Sequence, residues 1–324
     1  MMSVLIAVLL LVAGSVLLYY GAEYLVRGAV MLSQKAGISP LVIGLTVVAF
    51  GTSMPEMVVS ASAACTGSPD IALGNILGSN ICNIGLIMGL SALIKPLTND
   101  KSLIKFDIPF LCLISLALAA IWYFAGGIGR IAGMVFFAGL IFYIIRSIKI
   151  GRQSGANEED VPDEVKETAT GIVAKHPLIF SILFCIGGLL ALVLGGNFFV
   201  DGAVRIARML QVSEAVIGLT LIALGTSLPE LATSVVAAIK GESDIAVGNV
   251  VGSNVFNILA IMGVTPLIKP VAAQNITYVD FGVMLAFTFA LIPILMIGKK
   301  TGRFKGLLLV LGYALYIAWL AVKQ

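Results

Sequence analysis

Residue n matches residue n+174 without a gap from Ser39 to Pro96, and 33 of those 58 positions are identical. Apolar segments resemble one another by chance, but here the polar residues keep register. Gly51-Thr52-Ser53-Met54-Pro55-Glu56 returns as Gly225-Thr226-Ser227-Leu228-Pro229-Glu230. Gly74-Asn75, Gly78-Ser79-Asn80 and Asn83 return as Gly248-Asn249, Gly252-Ser253-Asn254 and Asn257, and Lys95-Pro96 returns as Lys269-Pro270. A chain built this way folds as two copies of one unit, and whatever the polar strings do is done at the interface between the copies.

Composition sets the medium. Hydrophobic residues make up 59% of the chain and charged residues 11%, against roughly 25% charged in an average soluble protein. No soluble core hides that much apolar surface, so the solvent is a bilayer. Residues 3–22 carry no charge and are followed by Glu23 and Arg27, so the first span reads as long and tilted. Runs with little or no charge follow at about 36–65, 71–94, 108–129 and 131–145, then at 177–200, 212–239, 245–268, 281–298 and 306–322. Most approach or exceed the ~20 residues a bilayer core requires. The expected fold is an all-α polytopic membrane protein of ten transmembrane helices, with helices 2, 3, 7 and 8 broken.

Five spans per repeat is an odd number, so the second copy enters the membrane from the opposite side. The expected halves are residues 1–150, with core motif 39–96, and residues 176–324, with core motif 213–270. Between them, 151–175 carries Glu158-Glu159-Asp160, Asp163, Glu164 and Glu167 and reads as a solvated acidic linker. The connectors after spans 1, 3, 5, 7 and 9 hold 15 of the 20 Lys and Arg residues. The positive-inside rule then makes the linker cytoplasmic and puts both termini outside.

An ionisable residue inside a span is costly and marks an ion or substrate path. Glu56 and Glu230 are two such residues. Each follows a proline that has no N–H for the carbonyl four residues earlier, so backbone oxygens are expected free beside each acid. Thr52 and Ser53 lie four and three residues before Glu56, on the same helix face. Hydroxyl, carboxylate and carbonyl together make an all-oxygen patch, the ligand set of a hard cation. Ser79 and Asn83 share a face in the second string, as do Ser253 and Asn257. For Asn75, Asn80, Asn249 and Asn254, helix-packing amides and ion contacts are both open readings. A structural reading of Glu56 as a carboxyl satisfied by a neighbouring helix would fit one copy; two copies facing each other argue against it. Their charge of −2 matches one divalent cation, and mixed flexible oxygens suit Ca²⁺ better than Mg²⁺, which demands strict octahedral ligation. The same oxygens in smaller sets can hold Na⁺, and competition for shared ligands is the basis of exchange.

Other features are bland. The four cysteines lie singly without metal-ligand spacing, His176 sits in a connector, and a net charge of +3 gives no footprint for nucleic acid.

The paired Gly-Thr-Ser-x-Pro-Glu and Gly-Asn-x-x-Gly-Ser-Asn-x-x-Asn strings resemble the α-repeats of the calcium:cation antiporter superfamily, above all the prokaryotic Na⁺/Ca²⁺ exchangers. The resemblance implies Na⁺-driven Ca²⁺ antiport by alternating access in a prokaryotic cell membrane, with no covalent chemistry and no cofactor. The cargo would be Ca²⁺ and Na⁺; the surroundings would be the lipid bilayer, with no obligate protein partner. It places the Ca²⁺ ligands at Glu56 and Glu230, assisted by backbone oxygens near Thr52 and Thr226. Its Na⁺ sites fall on Ser53, Ser79, Ser227 and Ser253 with the carbonyls of Ala49 and Ala223, and Asn83 falls on a mid-site amide. Asn257 departs from the pattern, since several such exchangers have Asp there. That departure keeps H⁺/Ca²⁺ exchange open as an alternative. An intramembrane hydrolase using Ser53 or Ser227 lacks a base, and a cation channel is the remaining class.

Overall fold

The computed structural model describes residues 2–98, 100, 102–154, 176–211, 223–298 and 300–323. Helix α1 is Met2–Ala36. Helices α2 (Pro40–Thr52) and α3 (Met54–Cys65) meet at a 44° bend. Then come α4 (Pro69–Ile94), α5 (Leu103–Ala125) and α6 (Arg130–Ser154). The second half has α7 (Pro177–Met209), a single turn at Ala223–Gly225, and α8 (Leu228–Lys240). It ends with α9 (Ser243–Ile268), α10 (Tyr278–Met296) and α11 (Arg303–Lys323). Among the described residues, eight helices are long and apolar enough to cross a membrane, or nine with α2–α3 as one span. The tenth expected span has its first leg at 212–222, and the acidic linker runs from 155 to 175; both lie outside the described residues.

The expected breaks divide into two kinds. Span 2 breaks at Ser53 (φ −83°, ψ 4°) and its repeat at Ser227 (φ −91°, ψ 5°). Pro55 and Pro229 therefore begin new helices, where a missing N–H costs nothing. Spans 3 and 8 are a correction: α4 and α9 run unbroken. No proline interrupts their middles, and the distortion there is a π-helical turn at Asn83–Met88 and at Asn257–Ile261. Such turns widen a helix by one residue without bending the chain away, and they concentrate at functional positions.

α4 and α9 form the centre. The apolar window of α9 is 100% buried and that of α4 is 78% buried, whereas those of α1, α5, α6, α7, α10 and α11 are 33% buried or less and turn their apolar side chains outward to lipid. α1 and α7 pack antiparallel on a ladder of glycines. A Cβ on Gly14 would meet Phe199 N at 2.6 Å, on Gly21 the Gly188 carbonyl at 2.9 Å, and on Gly28 Cys185 N at 2.8 Å. Only glycine lets two backbones approach so closely. Gly14, Gly21 and Gly28 lie 174 residues before Gly188, Gly195 and Gly202, so the repeat register extends into these helices.

The inversion is visible at the two ends of α4. At its start, Asp70 accepts hydrogen bonds from Asn275 N (2.7 Å) and Nδ2 (3.2 Å), in the connector after α9. At its far end, Lys95 Nζ donates to the Ile239 carbonyl (3.4 Å), at the end of α8. A 26-residue helix spans about 39 Å at 1.5 Å per residue. The turn after α3 and its copy after α8 therefore lie on opposite faces. Each face is also crossed by a short antiparallel bridge: β1 (Leu97–Thr98) with β2 (Lys300–Thr301), and Ile128 with Val271.

Candidate cation site

The bend at Ser53 and its copy at Ser227 bring the two repeats together. Ser53 Oγ donates to Glu230 Oε1 (3.1 Å), and Ser227 Oγ donates to Glu56 Oε1 (3.0 Å). Each carboxylate is thus held by a hydroxyl from the other half. Ser79 Oγ lies 3.4 Å from Ser227 Oγ. Glu56 and Glu230 are both 0% exposed.

The Asn75 and Asn249 amides resolve one open question. Asn75 Nδ2 lies 3.3 Å from the Glu56 carbonyl and 3.0 Å from Ser60 Oγ. Asn249 Nδ2 lies 3.3 Å from the Glu230 carbonyl and 2.9 Å from Ser234 Oγ. Both amides fasten the backbone of a glutamate to the neighbouring helix. Asn254 Nδ2 bonds to the Val250 carbonyl of its own helix (2.9 Å), while Asn80 Oδ1 accepts from Asn257 Nδ2 (3.0 Å). Ser60 and Ser234 were not among the sequence candidates. Their signal was available, since both sit in the repeat register four residues after a glutamate.

Several buried oxygens have no hydrogen-bond partner among the described residues: Glu56 Oε2, Glu230 Oε2, Thr226 Oγ1, Ser253 Oγ, Asn83 Oδ1 and Asn257 Oδ1. Among the described residues, each carboxylate thus has one oxygen bonded to a serine hydroxyl and the other without a hydrogen bond. An ionised carboxylate in that state costs several kcal/mol unless a positive charge meets it. Among the described residues no group of three or more His, Cys, Asp or Glu converges, so the formal charge here is that of two acids.

Thr52 is turned elsewhere: its Oγ1 lies 3.1 Å from both the Val48 carbonyl and Asn249 Oδ1. The Ala49 carbonyl accepts the Ser53 N–H (3.0 Å), and Thr52 Oγ1 lies 3.3 Å from it as well. Ala223 lies in the turn just before the second bend. A cavity of about 660 Å³ lies beside the site, with Pro55, Thr226 and Pro229 in its wall. Asn197 and Asp201 of α7 line it as well. Neither was singled out from the sequence, because neither is repeated: the positions 174 residues earlier are Glu23 and Arg27.

Residues 6–149 and 180–322 match the family described as sodium/calcium exchanger protein. The chain is 38% identical to the putative antiporter CaxA of Alkalimonas amylolytica, over 96% of this chain and 98% of that protein. It is 31% identical to the sodium/calcium exchanger MaX1 of Methanosarcina acetivorans, over 95% and 97%. The fold is similar to a structure of the sodium-calcium exchanger NCX_Mj soaked with Na⁺ and Sr²⁺, with a TM-score of 0.82 and 36% identity, covering 97% of this chain and 98% of that one.

Proposed function

Because this chain belongs to the sodium/calcium exchanger family, we propose that it moves Ca²⁺ across a membrane in exchange for Na⁺, by alternating access to one central site. It is a multi-pass membrane protein and not an enzyme. One observation carries the choice of cargo: two buried carboxylates, each held by a serine of the opposite repeat and each with an unpartnered oxygen. With −2 at its centre, the site is neutral around one Ca²⁺ and +1 around three Na⁺. Serine, threonine and asparagine oxygens beside it extend the ligand set towards the six to eight that Ca²⁺ takes. In this reading Glu56 and Glu230 hold Ca²⁺ with Thr52 and Thr226. Ser53, Ser79, Ser227, Ser253 and the carbonyls of Ala49 and Ala223 serve Na⁺, and Asn83 and Asn257 complete the centre. The termini lie outside, and residues 1–150 and 176–324 are the two halves.

H⁺/Ca²⁺ exchange is the competing reading, and Asn257 is the observation that favours it. The family resemblance leads one to expect an acid there, and an asparagine supplies no charge. Ca²⁺ flux into proteoliposomes decides between the two. An imposed Na⁺ gradient should drive uptake and a pH gradient without Na⁺ should not. Uptake driven by pH alone would replace the Na⁺ reading.

A further inference from the structure

We propose that Asp201 makes the cavity beside the site a capture chamber for hydrated divalent cations, on the face where α3 and α7 end. This rests on the exchange reading above. Of the described residues that line the cavity, Asp201 alone is charged. The rest of the wall is largely apolar, including Met54, Val58, Val193 and Val200, and competes for no ion. Asp201 is exposed and forms no hydrogen bond or ion pair with any described residue; Arg205, one turn further on, is not bonded to it. Asn197, one turn back on the same face of α7, adds an exposed amide, and Thr226 joins the chamber to the carboxylates.

Size agrees with the role. Eight waters at about 30 Å³ each fill about 240 Å³, so a Ca²⁺ with its whole shell fits in about 660 Å³. An ion can therefore be held through its waters at Asp201 and shed them only at Glu56 and Glu230. A lone charge between low-dielectric walls focuses field into the cleft and raises the local concentration of a divalent ion more than that of a monovalent one.

The repeat supplies an internal control. At the positions of Asn197 and Asp201, α1 carries Glu23 and Arg27. There the acid is already paired: Glu23 Oε1 lies 2.6 Å from Arg27 and 3.4 Å from Lys240 of α8. The chamber is thus one-sided, with a free acid on the face where α3 and α7 end.

The test is Ca²⁺ uptake at low ionic strength in right-side-out and inside-out vesicles. Asp201→Asn should raise KM for Ca²⁺ about threefold from the cavity face and leave KM from the other face and kcat alone. Asp201→Lys should raise it further, Asp201→Glu should restore it, and added choline chloride should shrink the difference. A KM unchanged in Asp201→Asn, or shifted equally from both faces, or a loss confined to kcat, overturns the chamber while exchange stands. A wild-type protein that carries no Ca²⁺ overturns the exchange reading, and the chamber with it.

Discussion

Thr52 of the first repeat reaches Asn249 of the second, whereas Thr226, its counterpart, reaches no partner among the described residues. Asn257 bonds to Asn80, whereas Asn83 and Asn254, the mirror pair, do not meet. Asn249 is fully buried and Asn75 only partly. Beside these differences, Ser53–Glu230 and Ser227–Glu56 agree within 0.1 Å, and the two amide clamps on the glutamate backbones agree similarly. Nearly identical strings therefore make one symmetric set of contacts and one asymmetric set. The symmetric set holds the carboxylates. The asymmetric set follows the cavity, whose wall includes Thr226 while Thr52 is fully packed. In an inverted pair that exposes its site to each face in turn, the asymmetric contacts are those expected to exchange between halves, and the symmetric ones those expected to persist.

The largest effect should come from breaking the symmetric set. Glu56→Gln and Glu230→Gln should each lower Ca²⁺ flux by about a hundredfold or more, because one uncompensated charge costs on the order of 4 kcal/mol at 4 Å and an effective dielectric of 20. Both proteins should remain folded by size-exclusion chromatography. A mutant that retains near-normal flux would make the halves unequal at their centre.

Inverted placement predicts an all-or-none labelling pattern. With Cys65 replaced, since it is exposed, Ser68→Cys should react with an impermeant thiol reagent from outside only. Glu242→Cys should react from the cytoplasm only. Reaction from the same side would undo the inversion and the orientation together.

The amide clamps should separate by burial. Asn249→Ala strands Ser234 and Thr52 inside the protein and should destabilise it by about 1–3 kcal/mol. Asn75→Ala sits where water can replace the amide and should cost about 1 kcal/mol or less. Thermal melts in detergent report both. Equal costs would mean that the burial difference has no energetic weight.

The smallest effect concerns the asymmetric pair. Asn257 donates to Asn80 Oδ1, and an ionised Asp would set oxygen against oxygen, while a protonated Asp keeps the bond. Asn257→Asp should retain transport, fall in rate by a few-fold, and become more sensitive to acid than the wild type. Asn83→Asp, which breaks no hydrogen bond here, should fall less. Flux measured across a pH series distinguishes the two.

Much of this was legible in the chain. Matching polar residues at n+174 located both bends and both glutamates, because a proline beside an acid in an apolar run has few other uses. The unbroken course of α4 and α9 was not legible: a π turn needs only one extra residue, and the asparagines there resemble those of a bend. The difference between Thr52 and Thr226 could not be read at all. Their neighbours in sequence are alike, and only the position of the cavity distinguishes them. Asp201 escaped for the opposite reason, since a repeat-based search passes over what is not repeated.

The two antiparallel bridges have a mechanical consequence. Leu97 and Val271 are related by the 174-residue register, so the pairings 97–301 and 128–271 are one clamp applied to both faces. A beam fixed at both ends cannot swing at either. α5, α6, α10 and α11 are thereby braced to α4 and α9 as a stiff chassis. The amides within the two clamps should exchange their hydrogens slowly, and in the proposed exchange cycle the travel falls to parts that carry no clamp.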